Sequence, residues 1–323
     1  MAVTKMKENK NTDQSKSFLP AKGDVGYFDT RDGTVLRVGL FPAVNSRKAT
    51  ILLVGGHREF IEKQTEFIED LQKRGFDVYA YDHRGQGGSS RKLENQIKSH
   101  NPDFGLIVKD MHEIVARMVK PETLETPFYL IAHSMGTQFA MRYLHDHQNI
   151  FDCAILLSPF TNFNIGGKIF TFLTKLYAFL ANLVGFSDFF APGQARNRDM
   201  IDQERAFTQL THDRVRFNWS QDALTTKPEL FIGGVTFGWI KGVIKSMNLI
   251  RSPGYVEKIE TPVLAVLAGD ETVVDNEMTL SLLARMKNAE YQIIDGARHE
   301  IYREIDEYRN PLLAKIDAFL ETH

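Results

Sequence analysis

The chain reads as an α/β protein, a mostly parallel sheet flanked by helices and interrupted by a mainly helical insertion. Three observations predict this. Short apolar runs alternate with helical patterns through the first half; the alternation breaks between about 160 and 251; it then resumes to the end. The expected organisation is a disordered tail over 1–22, a first core segment over 23–159, the insertion over 160–251 and a second core segment over 252–323.

The first buried strand is 51–54, Ile-Leu-Leu-Val, ending at Gly55-Gly56. A helix over 61–74 follows, with Phe67, Ile68 and Leu71 on one side and Gly75 closing it. The strand 76–81 comes next, then a helix over 104–118 that spaces Ile107, Val108, Met111, Ile114 and Val115 on one face. The strand 128–131, the helix 137–147 and the strand 153–157 complete the first half, and Ser158-Pro159 stops the last strand. After the insertion come a strand over 263–267, a helix near 277–286 and a strand over 291–294. A last helix carries Leu312, Leu313, Ile316 and Phe319. Short connections between alternating elements imply parallel strands covered on both faces.

Composition agrees with that fold. Of 323 residues, 43% are hydrophobic and 25% charged, enough to bury a full sheet. Lys plus Arg is 39 against 41 for Asp plus Glu, and a net charge of −2 gives no electrostatic reason to expect nucleic acid as a partner. The single cysteine, Cys153, lies in an apolar run and reads as a small buried side chain. The N-terminal residues are polar and basic with no apolar run behind them, so no signal peptide is expected and the expected location is cytoplasmic. The stretch 169–184 is greasy but short for a membrane span, interrupted by Lys175 and Asn182, and ended by Gly185. It reads as an amphipathic helix with a wide apolar face.

The strongest local signal is Ile131-Ala132-His133-Ser134-Met135-Gly136, which follows a strand and opens a helix. A nucleophilic serine on a sharp turn needs small neighbours two before and two after it, here Ala132 and Gly136. The Met135 N–H at the helix start would face the reacting carbonyl oxygen. Serine needs a base, and the loop after the last strand offers His299 in Asp295-Gly296-Ala297-Arg298-His299-Glu300. His133 is expected to point away and pack. The acid should follow the preceding strand, where Asp270, Glu271 and Asp275 stand. Glu271 is preferred with Asp270 close behind, and Asp275 is placed to cap the next helix. No H-E-x-x-H pattern occurs, so neither metal nor cofactor is expected.

With those residues placed, the chain resembles the bacterial lysophospholipase branch of the α/β-hydrolases, related to monoacylglycerol lipases. The resemblance runs from about residue 32 to the end. Its carriers are Gly56-His57-Arg58-Glu59, Gly75-Phe76-Asp77-Val78, Asp82-His83-Arg84-Gly85-Gln86-Gly87-Gly88-Ser89, Ala132-His133-Ser134-Met135-Gly136, Leu210-Thr211-His212, Gly233-Gly234, Val273-Val274-Asp275-Asn276 and Gly296-Ala297-Arg298-His299-Glu300. It implies an α/β-hydrolase fold with a helical cap and a second oxyanion donor at the His57 N–H. It places the acid two residues before the Val-Val pair, at Glu271. The glycines after Asp82 and an Asp–Arg pair at Arg84 read as structural.

The expected function is serine-esterase cleavage of a single-chain lipid, a lysophospholipid or monoacylglycerol. Phe170, Phe172, Leu173, Leu176, Phe179, Leu180 and Leu183 would line the acyl path, and the same cap would touch the inner face of the membrane peripherally. A general carboxylesterase, a serine peptidase and a non-catalytic binder of the same fold are the alternatives.

Overall fold

The structure is a computed structural model that describes residues 7–8, 18–121, 125–163, 177 and 180–323. Three antiparallel strands open the sheet: β1 (Lys7–Glu8), β2 (Asp24–Asp29) and β3 (Val35–Phe41). Six follow in parallel: β4 (Ala49–Val54), β5 (Phe76–Tyr81), β6 (Phe128–His133), β7 (Cys153–Leu157), β8 (Val263–Ala268) and β9 (Ala289–Ile294). Among the described residues the order across the sheet is β1-β2-β3-β5-β4-β6-β7-β8-β9. The centre is buried throughout, since every residue of β4, β6, β7 and β8 is inaccessible. That burial on both faces is why these strands read as continuous apolar runs rather than alternating ones.

Helices cover both faces. On one face lie α1 (Thr65–Lys73), entered through a 3₁₀ turn at Ile61–Gln64, and the C-terminal helix (Asp306–Leu320). Phe67, Ile68, Leu71, Leu312, Ile316 and Phe319 meet the odd-numbered side chains of β4 there. On the other face lie α2 (Phe104–Ile114), which ends in a π turn at Val115–Val119, and α3 (Gly136–Asp146). Between β7 and β8 the chain forms α4 (Gln203–Leu210), α5 (Arg214–Thr226) and α6 (Phe237–Arg251). The helices α7 (Asn276–Leu283) and α8 (the C-terminal helix) complete the chain.

Two placements refine the expected boundaries. Trp239, Val243, Met247 and Ile250 of α6 are buried with Phe104 and Phe139, so this helix lies in the main helical layer although it falls inside 160–251. Residues 18–22, at the end of the expected tail, pack on the body. The Phe18 carbonyl accepts from Thr65 Oγ1 at 2.5 Å, and its ring meets Trp219 edge-on at 5.0 Å. Of the amphipathic stretch, Phe170, Phe172, Leu173, Leu176 and Phe179 lie outside the described residues. Residues 180–183 are helical, and Leu180 and Leu183 are exposed. No helix among the described residues is long and apolar enough to cross a membrane.

Candidate active site

The turn from β6 into α3 places Ser134. Its φ is +49°, a left-handed conformation that a side-chain-bearing residue adopts at a cost. The turn is tight because α3 starts directly over the end of β4. A Cβ on Gly136 would lie 2.5 Å from the carbonyl oxygens of Val54 and Gly55, which is why no larger residue fits. Ala132 is fully buried beneath.

The loop after β9 carries His299 to the serine. His299 Nε2 is 2.8 Å from Ser134 Oγ, and Nδ1 is 2.7 Å from Glu271 Oε2. Ser134 is 9% exposed and His299 3%, so the pair is shielded yet reachable from a cavity. The loop after β8 holds the carboxylate. Glu271 Oε1 accepts the Val273 N–H at 2.7 Å and the Val274 N–H at 3.2 Å, which leaves Oε2 for the imidazole. Burial would raise this carboxyl, but the His299 ring and the two N–H groups outweigh it and hold it below the usual range.

The other two acid candidates fall elsewhere. Asp270 is exposed and makes no bond to His299; its N–H donates to the Ala297 carbonyl at 2.9 Å, and the chain turns before the next side chain enters the site. Asp275 caps α7, accepting the Met278 N–H at 3.0 Å, as its position before the helix suggests.

Opposite the serine, the end of β4 brings Gly56 against Ser134: a Cβ there would be 3.0 Å from the Ser134 Cβ. The N–H groups of His57 and Met135 have no hydrogen-bond partner among the described residues. The His57 ring is set aside from chemistry. Its Nε2 is 2.9 Å from Ser99 Oγ, it packs on Trp239, and burial together with nearby Arg58 and Lys63 holds it well below its usual value, hence neutral.

The Asp82-to-Ser89 block is the brace for that loop. His83 Nε2 meets the Gly55 carbonyl at 2.7 Å, and Gln86 meets both the Gly56 carbonyl, at 3.2 Å, and the Arg58 N–H, at 2.8 Å. Asp82 accepts the Ile61 N–H at 3.0 Å and pairs with Arg37 at 3.1 Å. Arg84 faces away, paired with Asp110 and, at 2.9 Å, with Asp32. Leu210-Thr211-His212 clips the chain after α4 to the His299 loop. The Glu300 N–H donates to the Leu210 carbonyl at 2.8 Å, and His212 Nδ1 is 2.8 Å from Glu304.

His133 corrects one expectation. It points away from the serine, but it is more than packing. Its Nδ1 meets the buried Glu59 carboxylate, and its Nε2 meets the His299 carbonyl oxygen at 3.1 Å. Both partners only accept, so both ring nitrogens must carry protons and the ring is an imidazolium. Burial would lower its pKa, yet Glu59 outweighs that and raises it; the same pairing depresses Glu59 against its own burial. Ser158 Oγ donates to the same His299 carbonyl at 2.7 Å, so the His299 loop is pinned from behind at two points. In the sequence Glu59 stands only as the last residue of Gly56-His57-Arg58-Glu59; an acid five residues past the end of β4, within that block, is the signal that marks it.

Removing one partner of such a buried pair is costly. Glu59→Gln is expected to destabilise the fold by about 3–5 kcal/mol, read from denaturant unfolding. The depressed Glu59 contributes stability present above its unfolded pKa and lost as pH falls. The raised His133 contributes stability present below its unfolded pKa and lost as pH rises through the folded value. The difference between the two proteins should therefore be greatest between about pH 4.3 and pH 6.5. A difference that is flat from pH 4 to 9 would show that the pair is not ionised.

Fold and site together define an α/β-hydrolase built around a serine, a histidine and a carboxylate. The chain belongs to the family described as serine aminopeptidase, S33, which matches residues 45–306. It is similar to a probable lysophospholipase L2 of Haemophilus influenzae, 30% identical over 270 residues that cover 84% of this chain and 83% of that one. Lysophospholipase L2 of Escherichia coli K12 is 27% identical over 316 residues, 93% of this chain and 88% of that one. Among solved structures, a soluble variant of monoglyceride lipase from Saccharomyces cerevisiae, in complex with a substrate analogue, superposes with a TM-score of 0.76 at 18% identity. That overlap covers 94% of this chain and 96% of the other and carries the fold alone.

Proposed function

We propose that the protein is a serine esterase that hydrolyses the carboxylic ester of a single-chain lipid, a lysophospholipid first and a monoacylglycerol second. The observation that carries the chemistry is the hydrogen-bonded relay of Ser134, His299 and Glu271 at 2.8 and 2.7 Å. In this reading Ser134 Oγ attacks the acyl carbonyl as His299 Nε2 takes its proton. The oxyanion rests on the His57 and Met135 N–H groups. His299 then returns the proton to the departing glycerol oxygen, leaving the acyl group on Ser134. Water, deprotonated by the same His299, attacks the acyl-enzyme, releases the fatty acid and restores the serine. Glu271 keeps the imidazole oriented and offsets its charge.

The substrate class rests on the cavity and on the relatives named lysophospholipase. A cavity of about 280 Å³ reaches Ser134 and is walled by Phe60, Phe217, Leu224, Leu230 and Ile232. It is at the small end of ligand pockets, which suits one acyl chain better than two. Residues 160–251 supply part of its wall and act as a cap. Their surface is unusually apolar: Tyr177, Leu180, Leu183, Val184, Phe186 and Phe189 are all about half exposed or more. A patch of this kind suits weak, reversible contact with a lipid surface, from the cytoplasmic side.

The double substitution Leu180→Asp with Leu183→Asp tests this. It is expected to cut hydrolysis of vesicle-borne long-chain lysophospholipid by roughly tenfold while a short soluble ester is hydrolysed within about twofold of the parent. An equal fall in both would make the patch structural. Preference of the unmodified protein for acetyl esters, or for aminoacyl amides, would favour the general-esterase or peptidase reading instead.

A further inference from the structure

The cavity that holds Ser134 is not uniformly apolar. Four cationic side chains, Arg58, Lys63, Arg198 and Arg303, line it against two carboxylates, Glu59 and Glu300. The carboxylates are already engaged. Glu59 pairs with the His133 imidazolium, and Glu300 is shared between Lys63 and Arg303, each at 2.5 Å.

Arg58 and Arg198 therefore have no carboxylate among the described residues. Arg58 Nε and Nη2 donate to the Gly233 carbonyl at 3.2 and 2.8 Å. Arg198 Nη1 donates to Thr225 Oγ1 at 3.0 Å, and Nη2 to the Gln221 carbonyl at 2.8 Å. Each guanidinium is thus held in place by neutral acceptors, with donors left over. Both side chains are only half accessible. Burial, with no anion to offset it, pushes Arg58 below its ordinary value. A guanidinium withdrawn from water is costly unless an anion meets it.

We propose that Arg58 and Arg198 form the recognition site for the phosphodiester of the substrate headgroup, and that this site sets preference for lysophospholipid over monoacylglycerol. Guanidinium groups suit phosphate because they donate in a planar fork. The two arginines approach from different parts of the chain. Arg58 stands in the loop after β4, next to His57. Arg198 stands in the Arg198–Met200 turn between β7 and β8. The headgroup would bridge these parts and fix the ester carbonyl over Ser134, with the acyl chain along the apolar side of the same cavity. This inference rests on the Ser134 reading and adds the choice of headgroup to it.

The test compares 1-palmitoyl-lysophosphatidylglycerol with 1-palmitoylglycerol, presented in the same detergent micelles so that only the headgroup differs. The unmodified protein is expected to favour the phosphate-bearing lipid. Arg198→Gln should lower kcat/KM for that lipid by roughly tenfold, mainly through KM, and leave the glycerol lipid within about twofold. Arg198→Lys should restore part of the loss. Arg58→Gln should show the same selectivity, with some loss on both lipids because its neighbour His57 is part of the proposed oxyanion site. Binding of lysophosphatidylglycerol to the Ser134→Ala protein, with and without Arg198→Gln, measures recognition independently of turnover. A tenfold weaker Kd on losing Arg198 supports the site. Equal losses on the two lipids, or an unchanged Kd, would overturn it while leaving Ser134 as nucleophile. Failure of the unmodified protein to hydrolyse either lipid would instead count against the Ser134 reading, with the binding measurement still deciding the arginines.

Discussion

Ser134→Ala is expected to abolish ester hydrolysis, with kcat/KM falling on the order of a thousandfold or more. The size of the loss follows from geometry. His299 Nε2 has Ser134 Oγ as its hydrogen-bond partner at 2.8 Å, and the turn that presents the serine holds its φ at +49°. No neighbouring hydroxyl can take over. Thr137 Oγ1 is occupied by the Ser134 carbonyl at 2.6 Å, and Ser158 Oγ by the His299 carbonyl at 2.7 Å. The fold should be unaffected, since the change removes one oxygen and leaves Ala132, Gly136 and the start of α3 as they are. Alanine also leaves the His57 and Met135 N–H groups in place, so the residual rate would report their share alone. A fluorophosphonate should label the parent at Ser134 and leave the variant untouched. Turnover within tenfold of the parent would remove Ser134 from the role of nucleophile.

How far the site was legible in the sequence depended on how locally each residue is fixed. The strands β4, β6, β7 and β8 were readable because burial on both faces demands nearly unbroken apolar runs. Ser134 was readable because the elbow is built from contiguous residues. His299 was readable because the strand–loop order delivers it. The antiparallel β2 and β3 were not seen: β2 is Asp-Val-Gly-Tyr-Phe-Asp, half exposed, and only its pairing with β3 makes it a strand. The acid was ambiguous for a different reason. Asp270 and Glu271 are adjacent, and only the turn between Gly269 and Val273 decides which side chain enters the site. Glu59 and His133 escaped notice as a pair because they lie far apart in sequence and meet only through tertiary packing. A buried ion pair of that kind leaves no periodic trace. Arg84, by contrast, was expected to be structural, and it is paired with Asp110 and Asp32.

Glu271→Gln is expected to lower kcat by roughly a hundredfold to ten-thousandfold, and the reason is tautomeric. In the parent, the carboxylate accepts from His299 Nδ1, so Nε2 presents a lone pair to the serine proton. Glutamine can enter the same space in two orientations. With its carbonyl oxygen in the place of Oε1, it keeps the bonds from the Val273 and Val274 N–H groups, at 2.7 and 3.2 Å in the parent, and turns its NH₂ toward His299. The reverse orientation would set that NH₂ against two N–H donors, so the first is favoured. An amide donating to Nδ1 forces the proton onto Nε2, which can then no longer accept from Ser134. The variant should therefore fold, bind lipid and react slowly with fluorophosphonate, with the defect in kcat rather than KM. Asp270→Asn is expected to stay within about threefold of the parent, because that side chain is exposed and makes no bond to His299. Asp275→Asn keeps a capping side chain and should leave activity similarly intact; Asp275→Ala should cost about 1 kcal/mol of stability by removing the cap of α7. A larger catalytic loss for Asp270→Asn than for Glu271→Gln would mean that the turn after β8 is set one residue differently in the working enzyme, and mild effects for all three would place the partner of His299 elsewhere.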